Sequence, residues 1–226
     1  MSRGSQVKNV VAAGHEVKRG GAGRAQEAQE NDKVILAAAQ AVFVANPLAP
    51  IAEVAAKAGV GIAALYRRYP SKERLLATLC AQGQRVYIAE TERALADSDS
   101  PWEAYARFLS RIVAQDTHSL SSRLAGTFRP TDEHAQLGER LQTLGEALFT
   151  RTQAAGAIRN DVTLLDVGFM LEGIAQVRLA DDQRTAELRQ RLVALLIDSL
   201  RPAAETTFLP GKAPTWEEQN ARWIMR

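Results

Sequence analysis

The sequence is poor in cysteine, histidine and aromatic residues, and it has no long apolar run. Its one cysteine, Cys80, leaves no partner for an internal disulfide and suits a reducing, cytoplasmic setting; buried, it is most simply a small hydrophobe. The three histidines, His15, His118 and His134, share no metal-ligand spacing, and there is no HExxH, so no metal is expected. No stretch approaches the roughly 18 apolar residues of a membrane span. The first residues hold only a short apolar patch, Val10 to Ala13, too short for a secretory signal. No segment shows the alternation of a β-strand. Gly59-Val60-Gly61 lacks both a third glycine and a preceding strand, so no dinucleotide cofactor is expected either. An all-α enzyme would need convergent titratable groups, and the sequence offers none.

Alanine, leucine and arginine fill the space instead, with 46% hydrophobic residues and a mean hydropathy of −0.19, the balance of a globular helical protein. Charge is unevenly placed. Residues 1–80 carry 11 Lys and Arg against 6 Asp and Glu, and the rest carry 17 against 20. A basic first third on an acidic remainder points to a polyanion partner for the N-terminal part. Residues 1–30 lack sustained periodicity and read as a mobile basic arm, with Arg3, Lys8, Lys18, Arg19 and Arg24 as either phosphate contacts or a solvated tail.

From Asn31 the pattern is helical: Val34, Ile35, Ala38, Val42 and Phe43 share a face, and Asn46-Pro47 stops it. Pro50 opens a two-turn helix with Val54, Ala55 and Ala58 inward, and Gly59 supplies its left-handed end. A short helix over 62–68 follows, and Ser71 caps a long one running past Leu95. Ser100-Pro101-Trp102-Glu103 opens the next, through Tyr105, Phe108, Leu109 and Ile112, in a region that Gly126 and Pro130 end. Thr131 and Thr163 open two more. The last, about 183–200, is apolar on two sides, so its second face needs a partner, which another copy of the chain could supply. Residues 202–226 read as an irregular tail.

Two short helices joined by a glycine-containing turn form a helix-turn-helix, whose second helix enters the major groove. With Leu65 plugging the junction, Gly61, Ile62, Ala64, Arg67 and Arg68 point outward or sideways. Arginine offers planar, paired donors to phosphate or guanine, and Tyr66 and Tyr69 offer hydroxyls. Lys72 sits in a helix first turn that also favours an anion.

The stretch AAKAGVGIAALYRRYPSKERLL resembles the DNA-binding signature of the tetracycline-repressor (TetR) family, commonly AxxAGVSxGTLYxHFxSKExLL, over residues 31–77. AGAIRNDVTLLDVGFMLEGIA resembles some of the family's C-terminal bodies more loosely. The resemblance implies an all-α homodimer. Residues 31–77 would form a three-helix DNA-binding head, and 78–201 a ligand-binding and dimerisation body. It implies a transcriptional regulator, a repressor of a palindromic operator released by a small-molecule effector. An effector-independent activator or architectural factor is the alternative. DNA contacts would come from Lys33, Gly61, Ile62, Ala64, Tyr66, Arg67, Arg68, Tyr69 and Lys72. A dimer bundle of the last two helices would use Val167, Leu171, Ile174, Leu188, Leu192, Leu195, Leu196 and Ser199. Trp102, Tyr105, Phe108, Phe128, His134, Phe149 and Met170 are candidates for a ligand pocket, although a surface position accounts for His134 and core packing for each of the others taken singly. The chain departs from the signature at Ala63-Ala64, where Gly-Thr is common, at Arg68 for histidine and at Tyr69 for phenylalanine. Ala64 can touch a thymine methyl but cannot supply the usual hydroxyl, so the operator sequence is what these departures affect.

Overall fold

The structure, a computed structural model, describes residues 16–222; Arg3, Lys8, His15 and Trp223 lie outside the described residues. Helices α1 (Glu16–Ala45), α2 (Ile51–Ala58) and α3 (Ile62–Arg68) form the head. The body follows as α4 (Lys72–Ala96), α5 (Pro101–Ala114), α6 (Thr117–Leu124), α7 (Asp132–Ala154), α8 (Leu164–Gln176) and α9 (Asp182–Ser199), with a short α10 (Trp216–Ala221) in the tail. No strand occurs among the described residues.

Local chemistry sets most of these ends. Gly59 takes φ 68° and closes α2 with two bonds, Gly59 N–H to Ala56 O and Val60 N–H to Ala55 O, the pair that satisfies a helix's last carbonyls. The Ser71 hydroxyl accepts from Arg74 N–H to start α4, and Ser100 does the same for Glu103 N–H before Pro101. Thr163 and Asp166 cap each other reciprocally at α8.

Three segments differ from the sequence expectation. Helix α1 begins at Glu16, well before Asn31, so residues 16–30 are helical rather than a loose arm. The stretch after α5 is a separate helix, α6, set off by Asp116 at φ 52°. The tail contains α10, opened by a Thr215–Glu218 capping box.

Two apolar cores result. One joins Phe43, Val54, Leu65, Leu75 and Leu79 of the head and α4 with Leu120, Leu124 and Phe128, which come from α6 and the loop after it. The other gathers Tyr105, Phe108, Ile112, Leu148, Leu171 and Val193 between α5, α7, α8 and α9. Helix α4 runs unbroken across the boundary expected after residue 77 and serves both.

Two arginines, Arg189 buried and Arg151 half-buried, tie the body helices at their open ends. Arg189 of α9 donates to Val177 O and Ala175 O, the orphan carbonyls of α8, and to Asp116 Oδ1 at the start of α6, at 2.9, 2.6 and 2.7 Å. Arg151 of α7 does the same for Ala94 O and Leu95 O of α4.

Candidate nucleic-acid interface and cavity

On α3 the outward face carries Ile62, Tyr66 and Arg67, all exposed, with Ala64 half-buried beside them and Gly61 exposed at the N-cap. Arg67 has no ion-pair or hydrogen-bond partner among the described residues, so its guanidinium is available to an anion. Lys33 is exposed and reaches only its neighbour Glu30, at 3.4 Å.

Three of the expected contacts are spoken for within the protein. Arg68 forks onto Asp32 of α1, with Nε to Oδ1 at 2.6 Å and Nη2 to Oδ2. Those bonds hold the Asp32 carboxyl below its ordinary value, chiefly through the hydrogen bonding from Arg68. Tyr69 is buried in the head core, with its hydroxyl on Asp32 Oδ1 at 3.3 Å, and burial pushes that hydroxyl up to about 12. Lys72 donates to Pro47 O and Ala49 O at 2.9 and 2.7 Å over the Phe43 ring. Its ammonium thus closes the α1–α2 loop instead of facing outward, and desolvation lowers its pKa. Tyr69 is therefore corrected from a DNA contact to a support of the head, while Lys72 and Arg68 each act first as braces within it.

Inside the body a cavity of about 460 Å³ lies between α4, α5, α6, α7 and α8, a size suited to a small molecule. Tyr105, Phe108 and His134 line it. The other expected pocket residues do not. Phe128 is packed in the head-side core, Phe149 stacks edge-on to Tyr105 within the body core, and Trp102 lies under Arg201. Met170 faces a separate open hollow beneath the tail. His134 is also structural. Its Nδ1 accepts from Thr131 N–H, which leaves Nε2 to donate to Ala77 O at 2.9 Å, a tautomer assigned from the bonds around it.

The cavity's inner wall was not foreseen. Tyr87 and His118 lie deep in the domain with their rings 5.8 Å apart, and each keeps accessible surface that faces this space. Burial lowers the His118 imidazole to about 4, so it is neutral at pH 7. Four glycines stand inside helices along its wall: Gly83 of α4, Gly138 and Gly145 of α7, and Gly168 of α8. A mid-helix glycine costs about 1 kcal/mol against alanine, so four of them lining one space are a legible mark. The mouth is covered by α10. Trp216, Gln219 and Asn220 line it, with Trp216 Nε1 on Glu146 at 3.1 Å and Arg222 on Glu172 at 2.6 Å.

The expected dimer residues divide. Val167, Leu171, Ile174 and Leu196 are buried in the protomer's own core, and Val167 and Leu171 also face the cavity, which corrects their assignment. Leu195 is 59% exposed, Ser199 is exposed, and Leu188 and Leu192 are half-buried, leaving an apolar strip on α9.

These features belong to a class of helical DNA-binding regulators. Residues 35–79 match the model of bacterial regulatory proteins of the TetR family, and residues 100–202 match that of the SbtR-like transcriptional regulator C-terminal domain. Together they take in more than half of the chain, which belongs to the TetR family of transcriptional regulators. A TetR transcriptional regulator from Streptomyces coelicolor, SCO0520, is 29% identical, with a TM-score of 0.54 over 76% of this chain and 99% of that one. A TetR regulatory protein from Mycobacterium vanbaalenii is 24% identical, with a TM-score of 0.54 over 78% and 98%. LfrR from Mycobacterium smegmatis, solved in complex with proflavine, is 17% identical, with a TM-score of 0.53 over 74% and 96%. No curated protein matches this sequence. The tail from 203 onward, including α10, lies beyond the matched C-terminal domain. Among the described residues no helix is long and apolar enough to cross a membrane, and no cluster of side chains could hold a metal ion.

Proposed function

We propose that the protein is a homodimeric repressor that binds a palindromic operator through α3 and is released when a small molecule fills the body cavity. The α6 helix carries this reading. Its first residues, Thr117 and His118, line the cavity, while Leu120 and Leu124, one and two turns on, are packed in the head-side core. A ligand pressing on the start of α6 therefore acts on a rod whose other end touches α1 and α4. Packed helices shift as units between discrete arrangements, so a small displacement at the cavity can change the spacing of two heads on DNA. Linkage makes the effect reciprocal: a ligand that favours the wrongly spaced form must weaken operator binding by the same factor.

Within the head, Gly61, Ile62, Ala64, Tyr66 and Arg67 face the groove and its phosphates, with Lys33 beside them and Arg68 bracing the helix. Leu188, Leu192, Leu195 and Ser199 of α9 meet their counterparts across a two-fold axis. The bound LfrR relative supports a body that takes small molecules in this family. Genomic-fragment selection followed by footprinting tests the reading. Two symmetric protected half-sites about one helical turn apart are expected. Protection of a single half-site, or none, contradicts it.

A further inference from the structure

The cavity's chemistry says what it takes. Among the described residues its wall contains no lysine or arginine. Its only carboxylates among the described residues are Glu139, which is exposed at the rim, and Glu172, which Arg222 and Gln219 already engage. Two residues of its wall hold buried, uncharged polar atoms. The Tyr105 hydroxyl is buried, with the residue 1% exposed, and has no hydrogen-bond partner among the described residues; Gln84 Oε1 is likewise buried and unpartnered among them, while its amide nitrogen donates to His134 O at 3.4 Å. A buried hydroxyl and a buried carbonyl left unmatched each carry a desolvation cost that a ligand group could relieve. Tyr87 and Phe108 stand edge-to-face at 5.4 Å, and Trp216 lies at the mouth, so the walls between are aromatic.

We infer that the effector is an uncharged, flat, aromatic molecule that carries a hydrogen-bond acceptor for the Tyr105 hydroxyl and a donor for Gln84 Oε1. An amide, a lactam or a hydroxy-ketone has that pairing. A carboxylate or phosphate would be stripped of water with no free cation in the wall to meet it, and an organic cation would find only Glu139 at the rim and Glu172, already paired with Arg222. Neutral His118 also lines the cavity without adding a counter-ion.

This rests on the cavity being the effector site, and the test is chosen to stand apart from DNA binding. Three probes of one shape separate the charge classes: biphenyl-4-carboxamide, biphenyl-4-carboxylate and biphenyl-4-carboxamidinium, titrated calorimetrically into the full chain. The carboxamide is expected to bind at least about tenfold more tightly than either charged probe, the penalty of one uncompensated buried group. Tyr105→Phe should weaken the carboxamide about tenfold while leaving the melting temperature equal or higher, since the lost hydroxyl had no partner among the described residues. Gln84→Leu should weaken it independently. Equal or tighter binding of a charged probe, no binding of the carboxamide, or an unchanged affinity in both variants would overturn the inference. An intact footprint alongside such a result would leave the DNA-binding reading standing and remove only the ligand class.

Discussion

Arg68, in the last turn of α3, is fastened to Asp32 of α1 by two parallel hydrogen bonds, one of them 2.6 Å. The recognition helix is thereby fixed in angle by a side chain that the sequence offers as a DNA contact. Bidentate pairs have geometric stiffness as well as energy. Because the guanidinium is more than half exposed, solvent discounts the energy to about 1 kcal/mol.

Asp32→Asn should therefore lower stability by about 1 kcal/mol at pH 7, read by urea denaturation. The Asp32 carboxyl is held below its ordinary 3.8, so its contribution is complete above that value and is lost as pH falls through the lowered one. Wild type and variant should converge in strong acid. A gap that stays constant into acid would mean that the pair contributes nothing through its charge.

Lys72→Met keeps the stem over Phe43 and removes both donors to Pro47 O and Ala49 O. The expected loss is about 1–3 kcal/mol of stability, with the salt dependence of DNA binding unchanged. A flattened salt slope with normal stability would return Lys72 to the phosphates.

Leu195 leaves most of its side chain in solvent on α9, next to half-buried Leu192. Leu195→Asp should give a folded protomer that sediments as a monomer, because an unpaired charge would sit in an apolar interface at a cost of several kcal/mol. An unaltered dimer would place the interface elsewhere.

His118 is neutral when folded and would take up a proton on unfolding below its ordinary 6.5. Stability linked to it is full above pH 6.5 and falls on the order of 2–3 kcal/mol as pH drops toward 4. His118→Gln should remove that portion of the acid sensitivity in paired denaturation curves, and identical pH profiles would show that the imidazole is not buried.

What could be read from the sequence was local. Ser71, Ser100 and Thr163 announce their helices because a cap needs only the next three residues. Gly59 announces its turn for the same reason. Helix α6 escaped because its break from α5 depends on Asp116 adopting φ 52°, which Arg189 of distant α9 helps to hold. The Thr215–Glu218 box was visible but sat among prolines. In the head, the outward placing of Ile62 and Arg67 followed from helical period alone. That Arg68, Tyr69 and Lys72 are engaged did not, because Asp32, Pro47 and Ala49 lie far back in the chain. The cavity was half legible. Tyr105 and Phe108 line it while Phe149 fills core, and residue type cannot separate the two; the four mid-helix glycines could have.

Arg67 is the exposed, unpartnered arginine of α3, so DNA binding should be read through it. Fluorescence anisotropy of a labelled duplex from upstream of the protein's own coding region, taken over a salt series, tests this. Affinity should fall steeply with salt, and Arg67→Ala should reduce the slope of log affinity against log salt by about 2, since a dimer brings two copies and each phosphate contact contributes about 0.9. An equal slope for wild type and variant, or no binding at low salt, would contradict the assignment of α3 as the DNA-reading helix.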